Sequence, residues 1–133
     1  MIFVDCPPSL ELLTLNALCA ADGIMVPVQC EYYALEGLSD LMATLRTVKR
    51  RLNTALEIFC VVLTMYDGRT NFSAQVAQEV RRHFPGKVFT AVIPRNIRLA
   101  EAPSYGMPIH LYAPKSVGAE SYDALAEEVI QGE

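Results

Sequence analysis

The run Ile58-Phe59-Cys60-Val61-Val62-Leu63-Thr64-Met65 constrains the fold more than any other stretch of the chain. A strand with one wet face alternates apolar and polar residues, and this one does not alternate. A continuous apolar run of this length predicts a parallel strand covered on both faces. Parallel neighbours need crossover connections, most often helices, and the flanking sequence supplies both. Further strands are predicted over residues 2–5, 24–28 and 88–93, and prolines follow the first and last of them at Pro7 and Pro94. Between them lie helical patterns. Ser9 is a plausible N-cap, with Glu11 in the first turn of a helix that runs to about Ala21 and turns Leu10, Leu13, Ala17, Leu18 and Ala21 inward. A second helix spans 38–52 with Leu38, Leu41, Leu45, Val48 and Leu52 at helical steps, and Lys49-Arg50-Arg51 suit its C-terminus. A third, capped by Asn71 or Ser73, runs to His83 with Val76, Val80 and Phe84 inward, and Pro85-Gly86 breaks it. A last helix over 117–130 presents Tyr122, Leu125, Ala126 and Val129. Residues 29–37 read as a polar, aromatic loop, and 95–108 as a long irregular segment of the kind that carries function. The alternation predicts an α/β fold: a three-layer parallel sheet with helices on both faces.

Composition narrows the functional classes. The chain has 133 residues, enough for one domain or a piece of one, and 52% are hydrophobic, enough for a core. Its net charge of −4 does not attract polyanions as a whole, so any nucleic-acid contact has to come from a local basic patch. Cys6, Cys19, Cys30 and Cys60 show no C-x-x-C spacing, and neither His83 nor His110 stands near one. They are expected to be reduced, buried thiols of a cytosolic protein, and a cysteine-based metal site is not indicated. No signal peptide and no apolar run long enough for a bilayer is present in the sequence. A chain that opens almost inside an apolar strand is expected to be a fragment, or an open reading frame started late.

The chemistry is expected at the carboxyl ends of the strands, where open α/β sheets bind ligands. Residues 2–4 lead into Asp5, and an apolar strand ending in a carboxylate is how phosphate-transfer folds hold magnesium. The loops 5–9, 65–70 and 94–103 should meet on one edge, gathering Asp5, Asp67, Arg69, Arg95, Asn96, Arg98 and Glu101. That inventory fits a nucleotide site. The 133 residues contain no G-x-x-x-x-G-K-[ST] loop, no other glycine-rich phosphate cradle and no G-x-S-x-G nucleophile turn.

Five segments, taken together, resemble the ParA/Soj chromosome-partitioning ATPases of the MinD/ParA P-loop superfamily. They are Ile2-Phe3-Val4-Asp5-Cys6-Pro7-Pro8-Ser9, Leu15-Asn16-Ala17-Leu18, Val26-Pro27-Val28-Gln29 with 31–37, Leu63-Thr64-Met65-Tyr66-Asp67-Gly68-Arg69-Thr70, and 92–104 from Val92 to Ser104. The resemblance covers nearly the whole chain in unbroken order, and its last segment is the most specific. It implies a P-loop NTPase-like domain whose N-terminal strand and phosphate loop are missing from this sequence, so that residues 1–133 form a single partial nucleotide-binding domain. It implies that Asp5 is the Walker B carboxylate ordering Mg2+ through water, and that residues 6–9 are the second switch. Met65, Tyr66, Pro94 and Asn96 match the segments that wall the adenine of ATP or ADP. Arg69 and Arg98 match positions used for sequence-independent DNA binding by the ATP-bound homodimer. A ParB-like centromere-binding protein is the implied partner, the cytoplasm and its nucleoid the implied location, and no membrane is involved. The strand that would lie between residues 2–5 and 24–28 is not encoded, so that slot is expected to stay open, to be filled by another chain, or to let residues 2–5 move away.

Rival readings follow from the same residues. Arg69 and Arg98 could be solvated loop arginines, and Lys49-Arg50-Arg51 and Arg81-Arg82 read as surface charge rather than DNA ligands. Tyr32 and Tyr33 read as loop packing or dimer contacts, His83 and His110 as structural. The chain could be a non-catalytic interaction module, since without the phosphate loop it is not expected to hydrolyse ATP by itself. A MinD-like membrane ATPase is disfavoured, because that branch needs a basic amphipathic tail and the end here, Leu125-Ala126-Glu127-Glu128-Val129-Ile130-Gln131-Gly132-Glu133, is acidic.

Overall fold

The computed structural model describes residues 1–7, 9, 11–31 and 33–132. Their order is α1 (Leu12–Ala20), β1 (Gly23–Gln29), α2 (Ala34–Arg51), β2 (Glu57–Tyr66), α3 (Asn71–His83), β3 (Val88–Pro94), α4 (Ile97–Glu101), a 3-10 turn (Ala102–Tyr105), α5 (Ile109–Tyr112) and α6 (Val117–Gln131). The three strands are parallel in the order β1-β2-β3, with β2 central. Both faces of β2 are covered, which is why its run from Cys60 to Leu63 is wholly apolar and buried. Val61 and Leu63 point to one side with Val26 and Val28, against Leu38 of α2 and Val76, Ala77 and Val80 of α3. Cys60 and Val62 point to the other with Ile93, against Leu99 of α4 and Leu125 of α6. α1 rests on α2 through Leu18, Leu45 and Val48. This is the three-layer α/β arrangement the pattern predicts.

Several local expectations are corrected. Residues 2–5 form no strand: Ile2 is 92% exposed, and Phe3 and Val4 are exposed too. Among the described residues the edge of β1 away from β2 carries no partner strand. A strand earns its stability from its ladder partner, and without one residues 2–5 stay outside the sheet. α1 begins at Leu12 with Glu11 as its N-cap, rather than with Ser9, whose carbonyl instead accepts the Thr14 hydroxyl at 2.7 Å. Leu13 is exposed, the buried face of α1 running through Thr14 and Leu18 instead; Leu10 falls outside the described residues. α2 starts at Ala34, four residues before its expected beginning at Leu38, so the polar loop is short. Leu52, expected on its inner face, is exposed. Thr70 caps α3, in place of Asn71 or Ser73: its hydroxyl accepts the Ser73 N–H at 3.3 Å. The segment after Pro94 is not irregular, since α4, a 3-10 turn and α5 fill it. In α6 Leu125 and Val129 face inward as expected, while Tyr122 (43% exposed) and Ala126 face solvent. Cys30 and Cys60 are buried thiols, but Cys6 and Cys19 are exposed.

Candidate functional site

Because the strands are parallel, their carboxyl ends lie side by side. Tyr66 stands opposite Pro94, and the Arg95 N–H donates to the Tyr66 carbonyl at 2.9 Å. On the other side the Cys30 N–H donates to the Thr64 carbonyl at 2.9 Å, carrying the ladder past the end of β1. Met65, Tyr66, Pro94 and Asn96 therefore occupy two adjoining strand ends. Met65 has a φ of 54°, in the left-handed region that a residue with a Cβ enters at a cost of roughly 1 kcal/mol. A cleft of about 440 Å³ opens beside the free edge of β1, lined by Val26, Val28, Gln29, Glu31, Tyr33 and Leu38 among others.

The loop after β2 is held by its own polar groups. Asp67 Oδ1 accepts the Arg69 backbone N–H at 3.0 Å and its Nε at 2.9 Å, and Oδ2 accepts Nη2 at 2.8 Å. The Arg69 guanidinium and then its backbone N–H pull the Asp67 carboxyl down to about 2, and Asp67 in turn raises Arg69. Ser73, buried at the start of α3, links two strand ends: its Oγ accepts the Asp67 N–H at 3.3 Å and donates to the Cys30 carbonyl at 3.3 Å.

The loop after β3 repeats the pattern. Asn96 caps α4, its Oδ1 accepting the Arg98 N–H at 2.9 Å. Arg98 Nη1 donates to Glu101 Oε2 at 3.0 Å, and the Tyr112 hydroxyl donates to the same oxygen at 2.9 Å. Those bonds raise both Arg98 and Tyr112, Glu101 being the main cause in each case. Tyr112 also stacks on Tyr105, with ring centroids 5.0 Å apart. Arg95 pairs with Glu31, tying the loop after β3 to the end of β1.

Of the sequence-predicted set, Met65, Tyr66, Asp67, Arg69, Pro94, Arg95, Asn96, Arg98 and Glu101 come together along one edge. Asp5 does not join them through a strand; it is exposed in a segment without regular structure, and Pro8 of the expected switch lies outside the described residues. Glu31, Ser73 and Tyr112 were missed as members of this edge. Glu31 sits in a polar loop whose direction only the sheet defines, and Ser73 and Tyr112 are bound to it by tertiary contact alone. As a magnesium centre these residues do not suffice. Among the described residues no three His, Cys, Asp or Glu side chains converge, and Glu31, Asp67 and Glu101 are each engaged by an arginine. The adenine side of a nucleotide fits better: Met65, Tyr66 and Pro94 offer apolar surface, and Asn96 an amide with donors and an acceptor.

Residues 1–58 match a family model described as an AAA domain. Over 128 residues the chain is 61% identical to the sporulation initiation inhibitor protein Soj of Bacillus subtilis (strain 168), covering 96% of this chain and 51% of Soj. Over 132 residues it is 56% identical to the chromosome partitioning protein ParA of Caulobacter vibrioides (strain NA1000 / CB15N), covering 99% of this chain and 49% of ParA. The chain thus spans about half the length of these curated relatives. Among solved structures it is similar to cobyrinic acid a,c-diamide synthase from Mycobacterium smegmatis with bound ATP analogue and magnesium. There the TM-score is 0.76 at 33% identity, over 96% of this chain and 46% of that one. The cell division ATPase MinD of Pyrococcus furiosus gives a TM-score of 0.72 at 27% identity, over 96% of this chain and 50% of MinD.

Proposed function

We propose, from the premise that this chain belongs to the Soj/ParA family of chromosome-partitioning ATPases, that it supplies the adenine-facing and DNA-facing half of such an ATPase. One partial nucleotide-binding domain spans residues 1–133. Met65, Tyr66, Pro94 and Asn96 wall the adenine of ATP or ADP, Asp5 orders Mg2+ through water once its strand is paired, and Arg69 and Arg98 contact the DNA backbone without reading sequence. The assembled ATPase acts as an ATP-dependent homodimer on the nucleoid with a ParB-like partner. The observation that supports this reading is the pairing of Tyr66 with Pro94, which brings four of the five residues proposed here for the cofactor, together with Arg69 and Arg98, to one sheet edge.

The test exchanges the aligned half of Bacillus subtilis Soj for these 133 residues. The chimera is expected to hydrolyse ATP and to bind nonspecific duplex DNA. In it, Tyr66→Ala and Asn96→Ala should weaken ATP binding. Arg69→Ala and Arg98→Ala should weaken DNA binding, each lowering the salt slope by about one unit, with ATP affinity little changed. A folded chimera that binds neither ligand would overturn the reading.

A further inference from the structure

Among the described residues, three arginines stand at the carboxyl edge of the sheet, Arg69 and Arg95 on loops and Arg98 in α4, and each already bridges a carboxylate: Arg69 to Asp67, Arg95 to Glu31, Arg98 to Glu101. Three positive and three negative groups leave this edge without net charge, in a chain whose total is −4. That is an unusual way to build a phosphate-binding surface. Nonspecific DNA affinity comes from positive charge that displaces condensed counter-ions, and a guanidinium paired in advance brings its own.

We propose that Asp67 and Glu101 are built-in counter-ions that attenuate DNA-backbone binding at this edge, by holding Arg69 and Arg98 already paired. The inference rests on the assignment of these arginines to DNA. The geometry supplies the mechanism. The Arg69 side chain is 87% exposed, yet two of its donors are spent on Asp67, at 2.9 and 2.8 Å, in a side-on fork. A phosphate can reach that fork only by displacing Asp67, or else must settle for the remaining N–H groups. The Asp67 carboxyl, pulled down to about 2 by its partner, stays charged throughout the physiological range, so the competitor is always present. Arg98 is paired by one donor, Nη1, to Glu101 Oε2 at 3.0 Å, and the Tyr112 hydroxyl donates to that same oxygen and holds it in place. Contacts made this way are weak and readily reversed, which suits a carrier that must let go of DNA as often as it takes hold.

Asp67→Asn and Glu101→Gln each keep one oxygen acceptor and remove the charge. Their DNA binding would be followed by anisotropy on a nonspecific duplex between ~50 and ~200 mM salt, with the full chain and with the Soj chimera in ATP. Each variant is expected to bind about threefold tighter or more, with a salt dependence steeper by about 0.9. Arg69→Ala added to Asp67→Asn should abolish the gain. Glu79→Gln, which frees Arg82 on the α3 surface instead, should change neither quantity. A merely structural carboxylate would give the opposite sign, since loosening its loop weakens binding. If Arg69→Ala weakens binding while Asp67→Asn leaves it unchanged or weaker, the attenuation is refuted and the DNA assignment stands. If Arg69→Ala and Arg98→Ala are both without effect, or neither protein binds DNA, the DNA assignment falls and this inference falls with it.

Discussion

The carboxylate of Glu128 on α6 accepts the backbone N–H of Thr90 on β3 at 2.7 Å, and its second oxygen accepts the Ala91 N–H at 2.8 Å. The register explains why those groups need a partner. Val88 lies opposite Val61 and Val92 opposite Leu63, so four residues of β3 are matched to two of β2 and the surplus bulges away from the ladder. Glu128 stands in for the ladder partner that Thr90 and Ala91 lack. Glu128→Ala is expected to destabilise the chain by about 1–2 kcal/mol, part of the loss being recovered by water at the exposed Thr90. Glu128→Gln, which keeps one acceptor, should cost about half of that. Urea denaturation of the three proteins checks the order.

Asn53 joins elements far apart in sequence. Its side-chain amide donates to the carbonyls of Leu18 at 3.0 Å, Cys19 at 3.2 Å and Ala21 at 2.9 Å, the otherwise open C-terminal carbonyls of α1. Asn53→Ala should loosen α1 from α2 at a cost of about 1–2 kcal/mol. Hydrogen exchange is the direct measurement: α1 amides should lose protection while β2 amides keep theirs.

Gly118 in α6 is buried against Leu99 of α4. A Cβ there would stand 2.7 Å from Leu99 Cγ and 3.0 Å from Cδ2, too close to be absorbed without movement. Gly118→Ala should destabilise by about 1–3 kcal/mol despite alanine's better helix propensity, because overpacking outweighs it. Leu99→Ala in the same chain should recover part of the loss, seen as a partial return of the melting temperature. Because Leu99 adjoins Arg98, the single variant should also disturb the Arg98–Glu101 pair.

The Asp67 carboxyl titrates at about 2, below the ordinary carboxylate range, because the folded loop stabilises its charged form. A folded-state value below the unfolded one favours folding above the ordinary range. That contribution is lost as the pH falls from the ordinary range toward about 2. NMR titration of the Asp67 carboxyl should show it ionised down to that region, and Arg69→Ala should return it most of the way to the ordinary value. An unchanged midpoint in that variant would show that Arg69 is not the cause.

The apolar run of β2 was legible in sequence because a strand buried on both faces admits almost nothing else, and β1 and β3 were legible as short apolar, β-branched runs. Helix positions were legible from 3.6-residue spacing, and α6 in particular starts where Ser116 caps it. The loops carrying Asp67, Arg69, Asn96 and Arg98 were legible too, since topology alone brings parallel strand ends to one edge. Local competition was harder to read. Thr70 took the α3 cap from Asn71 and Ser73 because Ser73 is drawn inward to bridge Asp67 and Cys30.

What only tertiary structure decided is which groups meet. Residues 2–5 have the composition of a strand, but a strand exists by pairing, and no partner among the described residues takes them up. The pairing of Arg95 with Glu31 joins groups 64 residues apart. The bond from Glu128 to β3 depends on a bulge that no periodicity reveals. Sequence spacing encodes the direction a side chain takes from its own element. The identity of its neighbour is set by the packing of separate elements, and in this chain that packing leaves three arginines and three carboxylates in mutual balance on one edge.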